Sequence, residues 1–189
     1  MTDGRSVDLP ALRIGQGFDV HPWSDDPARP LVLGGVVLPD EVGLVGHSDA
    51  DVIAHACTDA LLGGAGAGDI GQLFPDTDPA NAGADSLALL AHAVSVVTAA
   101  GWVPLNIDCT VVLDRPKIAP IRAEMERNLS AVVGAPVTIK GKRTEGMPSL
   151  GEGPHCWAVA LLANADPPAT EGGGDPAMPT STPAGPESD

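Results

Sequence analysis

The chain contains no tyrosine, two phenylalanines and three tryptophans, so it has little with which to build a stacking platform for nucleic-acid bases. Basic residues are scarce as well. Ten Lys and Arg stand against 25 Asp and Glu, giving a formal charge of −15 at pH 7. A field of that sign repels phosphate backbones and anionic lipid headgroups. Nucleic acid and membrane surfaces are therefore excluded as partners, and any anionic small molecule must be held by local cations or a metal. Long apolar runs are missing: none reaches the ~18 residues of a membrane span. The residues ahead of Arg13 lack the charged-then-apolar order of a secretion signal. Paired cysteines are missing too. Cys57, Cys109 and Cys156 are odd in number, widely spaced and each set in an apolar run. They read as reduced, buried thiols in a reducing compartment, and a cytoplasmic protein is expected.

A chain of 189 residues suits one domain. Residues 1–10 are polar and unpatterned and read as a flexible arm. Residues 165–189 are rich in Pro, Gly, Ser and Thr, hold Asp166, Glu171, Asp175, Glu187 and Asp189, and contain no Lys or Arg. Such a segment cannot bury enough apolar surface to offset chain entropy, so it reads as a disordered acidic tail. Residues 11–164 alternate between strand and helix patterns. Strands are expected over Leu12–His21, Asn106–Leu113, Val137–Lys142 and Cys156–Leu162. The glycines of the first point to a close backbone approach or a bulge. Leu31–Val37, broken by Gly34-Gly35, reads as a hairpin or edge strand. Helices are expected over Ser48–Leu62, with Ser48 as N-cap, over Ser86–Ala100, and from about Pro120 to Gly134. The fold class is α/β (α+β): a single small domain with a mixed β-sheet and about three helices packed on one face.

The chemistry concentrates in two stretches, Gly-Phe-Asp-Val-His at 17–21 and Gly-His-Ser-Asp-Ala-Asp-Val-Ile-Ala-His at 46–55. Asp19 and His21 are two apart, so on an extended strand they share a face. Together with His55 they supply one carboxylate and two imidazoles. That set suits Zn²⁺, with Mn²⁺ or Fe²⁺ possible, and leaves a position open for substrate. Asp51 and Asp59 lie four residues either side of His55, where either can orient its ring. His47 and Ser48 stand just ahead of a helix N-terminus, where free N–H groups favour a phosphate. Residues 68–78 form a Gly/Pro/Asp-punctuated loop with an apolar centre, suited to covering a substrate. Glu145, beside Lys142 and Arg143, can hold a hard cation while the bases meet phosphate oxygens. His92 and His155 have no partners in the sequence and read as structural.

These motifs, with Asp-Ala-Leu-Leu-Gly at 59–63 and Gly-Asp-Ile-Gly-x-Leu-Phe-Pro-Asp-Thr-Asp-Pro at 68–79, closely resemble the 2-C-methyl-D-erythritol 2,4-cyclodiphosphate synthase family of the non-mevalonate isoprenoid pathway. The resemblance runs from about Arg13 to Leu162. It implies a homotrimer with active sites between adjacent subunits and Zn²⁺ on Asp19, His21 and His55. It implies a phosphorus–oxygen lyase acting on a cytidine diphosphate-type substrate, 4-diphosphocytidyl-2-C-methyl-D-erythritol 2-phosphate. The 2-phosphate would attack the β-phosphorus, CMP would leave, and a cyclic diphosphate would form. By the same resemblance, Asp19, Val20, His21, His47 and Ser48 face the substrate. Asp69, Ile70 and Gly71, with Phe74, Pro75, Asp76, Thr77 and Asp78, contact its methylerythritol part. Leu113, Asp114, Arg115, Pro116, Lys117, Ile118 and Ala119 hold the cytidine across the interface, along with Lys142, Arg143, Thr144 and Glu145. Glu145 carries Mg²⁺ or Mn²⁺ on the substrate phosphates, and His47 and Arg143 are the catalytic candidates.

The chain departs from the family at one place. Arg143-Thr144 stands where the family reads Thr-Thr, so a guanidinium replaces a small hydroxyl. The family's Gly-Phe-x-Gly-Arg stretch has no counterpart; Gly146-Met147-Pro148-Ser149-Leu150 runs directly into Gly151-Glu152-Gly153. Two other readings follow from the residues: a catalytically impaired relative that binds metal and nucleotide, and a phosphohydrolase using metal-bound water.

Overall fold

A computed structural model describes residues 11–165, so the arm at 1–10 and the tail from 166 onward lie outside the described residues. Among the described residues no helix is long and apolar enough to cross a membrane. The described residues form six strands and five helices in the order β1 (Leu12–Val20), β2 (Pro30–Leu33), β3 (Val36–Val42), α1 (Val52–Ala65), α2 (Ile70–Leu73), α3 (Ser86–Ala99), β4 (Trp102–Val112), α4 (Arg122–Val133), β5 (Val137–Lys142), α5 (Pro148–Gly151) and β6 (His155–Asn164). A 3₁₀ turn at Pro79–Asn81 lies between α2 and α3.

Four strands form a mixed sheet in the order β1-β6-β4-β5. β4 and β5 are parallel; the other pairs are antiparallel. β2 and β3 make a separate hairpin that turns at Gly34 and Gly35, both at positive φ. The period-2 pattern of the sheet strands sends Ile107, Cys109 and Val111 to one face with Ala158, Ala160 and Leu162, all fully buried under the helices. α1 carries this packing and is buried along nearly its whole length. α3 presents Leu90, Ala93 and Val97, and α4 presents Met125, Leu129 and Val133, at the spacing expected of one helix face. The three cysteines are buried in this core and unbridged.

The glycines of β1 mark a close approach rather than a bulge. A Cβ at Gly15 would stand 1.9 Å from the Ala60 carbonyl oxygen, and one at Gly17 would stand 2.0 Å from that of Ala56. Gly64 returns the favour on the helix side, where a Cβ would meet Leu162 at 2.3 Å. α1 therefore lies directly on the β1 backbone, which brings the helix face bearing His55 to the C-terminal end of β1.

Two expectations need correction at the start of α1. The helix begins at Val52, and its N-cap is Asp51, not Ser48. Asp51 Oδ1 accepts from the N–H groups of Ile53 (3.1 Å) and Ala54 (3.2 Å). The same fully buried carboxylate accepts from Gly34 N (2.9 Å) and Gly35 N (2.7 Å), tying the hairpin turn to the helix. The third helix likewise begins at Arg122, two residues beyond Pro120, and ends on Gly134 at φ 73°. β4 starts four residues before the expected Asn106, its pairing with β6 shifting between Pro104 and Asn106.

Candidate active site

Asp19 ends the inward-facing side of β1, His21 follows the strand, and His55 projects from the first turn of α1. Asp19 Oδ2 lies 3.0 Å from His21 Nε2 and 3.0 Å from His55 Nδ1, and the two nitrogens are 3.1 Å apart. Two ligands held ~2.0–2.1 Å from a tetrahedral ion lie about 3.3 Å apart, so this near-equilateral triangle fits three corners of such a site with little movement. These three are the metal-ligand group found among the described residues. Burial alone would raise the Asp19 carboxyl, but hydrogen bonds from His21 and His55 outweigh it and hold it well below the usual carboxylate range. Burial lowers His21, yet the Asp19 carboxylate more than compensates and raises it.

Each imidazole is anchored from its far nitrogen. His21 Nδ1 is 2.7 Å from the Val45 carbonyl, an acceptor only, so Nδ1 carries a proton and Nε2 is the nitrogen turned to Asp19. His55 Nε2 is 2.8 Å from Ser86 Oγ and 3.0 Å from Ser48 Oγ. The sequence suggested Asp51 or Asp59 for this role. Asp51 is committed to the helix cap, and Asp59 Oδ1 accepts from Ile70 N at 2.8 Å, pinning α2 against α1. Ser86 was not singled out: it lies 31 residues from His55, and its pattern signals no more than a helix start. Arg29 is a second residue the motifs did not mark. Its Nη2 donates to the Ser48 carbonyl at 2.5 Å and so fixes the turn that presents Ser48.

The α1 N-terminus does not serve as a free anion site, because Asp51 takes its first N–H groups. The donors left near the metal triangle are side chains. His47 is exposed, its Nε2 3.2 Å from the Asp78 carbonyl. Asp19, His21, His47, Ser48 and His55 line a cleft of about 290 Å³, closed on the other side by Ile70, Gly71, Phe74 and Asp76 with Asn81 and Leu89. The 68–78 segment thus lies where a covering loop belongs. Within it Asp69 caps α2 by accepting from Gln72 N, while Pro75, Thr77 and Asp78 are exposed and outside the lining of this cleft. Val20 points to the opposite, uncovered face of the sheet and is 44% exposed.

The second group of expected residues does not join this cleft. Leu113, Asp114, Pro116, Lys117, Ile118, Ala119, Lys142 and Arg143 line a separate cleft of about 250 Å³ beyond the C-terminal ends of β4 and β5, joined by Gly141 and Arg122. Arg115 lines an adjoining one with Glu41 and Lys117. Thr144 is buried, and its hydroxyl and N–H both donate to Asp114. The Thr144 hydroxyl, more than any other contact, holds the Asp114 carboxyl below its usual range. Arg143 Nε reaches the same carboxylate at 3.5 Å from an exposed position. Glu145 is exposed at φ 53° and lies in neither cleft. The two clefts sit at the same end of the sheet, since Val20, His155, Val112 and Lys142 pair in one row. They sit on opposite edges, three strand steps or roughly 14 Å apart at ~4.8 Å per step. In one chain, then, metal triangle and basic cleft are separate sites.

Residues 12–163 match the model of the YgbB family. A curated relative from Azoarcus sp. (strain BH72), 2-C-methyl-D-erythritol 2,4-cyclodiphosphate synthase, is 55% identical over 160 residues, covering 82% of this chain and 98% of that protein. Among solved structures, the CDP-bound form of 2C-methyl-D-erythritol-2,4-cyclodiphosphate synthase superposes with a TM-score of 0.73 at 40% identity, covering 79% of this chain and 99% of that one. The bifunctional IspDF from Campylobacter jejuni superposes with a TM-score of 0.78 at 37% identity; 84% of this chain matches 44% of that protein.

Proposed function

The chain belongs to the YgbB family, alongside the 2-C-methyl-D-erythritol 2,4-cyclodiphosphate synthases, and from that premise we propose how its two clefts work. The reaction converts 4-diphosphocytidyl-2-C-methyl-D-erythritol 2-phosphate to 2-C-methyl-D-erythritol 2,4-cyclodiphosphate and CMP. An oxygen of the 2-phosphate forms a bond to the β-phosphorus. The bridging bond from the β-phosphorus to the α-phosphate oxygen breaks, and that oxygen departs with CMP. In class this is a phosphorus–oxygen lyase. Nucleophile and electrophile belong to one molecule, so no enzymic nucleophile is required, and positioning with charge neutralisation is enough.

The observation that carries the reading is the 3.0–3.1 Å triangle of Asp19, His21 and His55 in the floor of a cleft. These residues would hold Zn²⁺, which supplies Lewis-acid polarisation of a phosphoryl oxygen. His47 and the Ser48 hydroxyl donate hydrogen bonds to the phosphate and erythritol oxygens. Ile70, Gly71, Phe74 and Asp76 exclude water from the methylerythritol part, with Asp69, Pro75, Thr77 and Asp78 fixing that loop. Leu113–Ala119 would receive the cytosine and ribose; a solved relative is a CDP-bound form, which supports a cytidine nucleotide as ligand. Lys117, Lys142 and Arg143 neutralise the charge gathering on the departing CMP. Thr144, its hydroxyl engaged by Asp114, acts by fixing this segment, and Glu145 would hold a Mg²⁺ or Mn²⁺ ion that neutralises phosphate charge.

Because the two clefts of one chain are separated, the site is completed by a second copy, in a cytoplasmic homotrimer. The face that supports this assembly is the uncovered side of the sheet. Ile14 is 73% exposed there, beside Leu12, Val20 and Val159. Phe18 and Trp157 pack ring to ring at 4.9 Å, and His155 stacks on Trp157 at 6.1 Å. This apolar cluster lies on the β1 and β6 side of the face, while Asp108 and Lys140 pair on its β4 and β5 side, and a cluster of this kind is a burial surface. Incubation of the protein with the cytidyl substrate, followed by phosphorus NMR, tests the function. Appearance of CMP and the cyclic diphosphate is expected. Free phosphate would identify a hydrolase, and an unchanged spectrum a binding protein; either overturns the reading.

A further inference from the structure

We propose that Asp49 and Ser86 are positioning residues for the metal: between them they decide which nitrogen of His55 faces Asp19 and His21. This rests on the reading of Asp19, His21 and His55 as the metal ligands. The hydrogen bonds run in one consistent direction. A carboxylate can only accept. Asp49 Oδ2 accepts from the Ser86 backbone N–H at 3.1 Å, and Oδ1 accepts from the Asp51 N–H at 3.1 Å. Asp49 Oδ1 also accepts the Ser86 hydroxyl proton. With that proton committed, Ser86 Oγ offers only lone pairs to His55 Nε2, 2.8 Å away. Nε2 must therefore carry hydrogen, which leaves Nδ1, 3.0 Å from Asp19 Oδ2, as the nitrogen that donates to that carboxylate and would give its lone pair to a metal displacing this proton.

Ser86 is fully buried, so no bulk water competes for the His55 ring at this contact. Ser48 completes the arrangement. Its hydroxyl oxygen accepts from Ala50 N at 3.2 Å and lies slightly farther from Nε2 than Ser86 does. The ring N–H is thus satisfied by Ser86, and the Ser48 proton is left for the cleft that Ser48 lines. Asp49 and Ser86 also join two elements. The turn before α1 and the first residue of α3 are held together by the same carboxylate that sets the tautomer, with Asp49 N donating to the Ala84 carbonyl at 3.0 Å. A carboxylate acting through a hydroxyl on a ligating imidazole is an outer-sphere device of the kind that tunes metal affinity 10- to 100-fold.

The experiment uses the full chain, freed of metal, with Zn²⁺ alone as the probe. Zinc affinity is measured by chelator competition, and the His55 tautomer by nitrogen-15 NMR of labelled histidine. Asp49→Asn and Ser86→Ala are each expected to weaken zinc 10- to 100-fold while near-UV circular dichroism stays unchanged. Asp49→Asn should shift the His55 proton from Nε2 toward Nδ1, because an amide N–H turned on Ser86 reverses the direction of its hydroxyl. Ser86→Thr keeps the hydroxyl and should restore affinity to within about threefold. Should Ser86→Ala not fold, Asp49→Asn decides the matter by the same two readouts. Zinc affinity within threefold of the unsubstituted chain, with the tautomer unmoved, overturns the proposal. His55→Ala separates the two levels: if it binds zinc as tightly as the unsubstituted chain, the ligand reading itself fails. If it loses zinc while Asp49→Asn and Ser86→Ala keep it, the positioning role alone fails.

Discussion

Gly17 decides how near His55 can come to Asp19. A methyl group there would stand 2.0 Å from the Ala56 carbonyl oxygen, one residue beyond His55 in the helix. Backbone cannot yield as a flexible side chain does, so α1 must move off β1. Gly17→Ala is predicted to cost about 1–3 kcal/mol of stability and to weaken zinc retention together with it, measured by denaturant unfolding and zinc titration. This glycine, and the Asp-x-His beside it, could be read from the sequence because strand periodicity alone places them on one side. The partners of the His55 ring could not. Asp51 and Asp59 have the right helical spacing, but backbone N–H groups at Gly34, Gly35 and Ile70 bind those carboxylates instead. Ser86 arrives from a different helix, and the pattern around it is that of an ordinary helix start. Contacts of this kind depend on how α3 packs on α1, which no local spacing encodes.

At the scale of elements, the start of α1 is the joint on which the metal cleft turns. Asp51 satisfies four N–H groups, two from the β2–β3 turn and two from its own helix. Asp51→Ala leaves all four without an acceptor in a buried place. A loss of about 2–4 kcal/mol is predicted, read as a lower urea midpoint at an unchanged slope. The principal helices and strands were legible because each carries a full run of 3.6- or 2-residue periodicity. Their ends were less so. Ser48 looked like a cap because it precedes an apolar run, yet the chain makes one more turn before the helix begins at Val52. β4 extends four residues ahead of Asn106, and the sheet absorbs Pro104 with a shift in pairing. α2 and α5, four residues each, are too short for periodicity to reveal.

The whole molecule is defined by what one chain leaves open: a metal cleft on one edge of the sheet, a basic cleft on the other, and an uncovered face that is apolar over β1 and β6. The sequence resemblance implies both residue sets and a site shared between adjacent subunits; the structure adds that within one chain they line separate clefts. That separation is why a closed ring of copies accounts for turnover better than a monomer does. Co-expression of His55→Ala chains with Lys117→Ala chains tests this most directly, with cyclic diphosphate followed by phosphorus NMR. Each variant alone should be inactive, whereas the mixed assembly should recover about a quarter of full activity, the share of sites that draw both intact halves by random mixing in a closed ring. Mixed assemblies that form and yet produce no cyclic diphosphate would contradict the account.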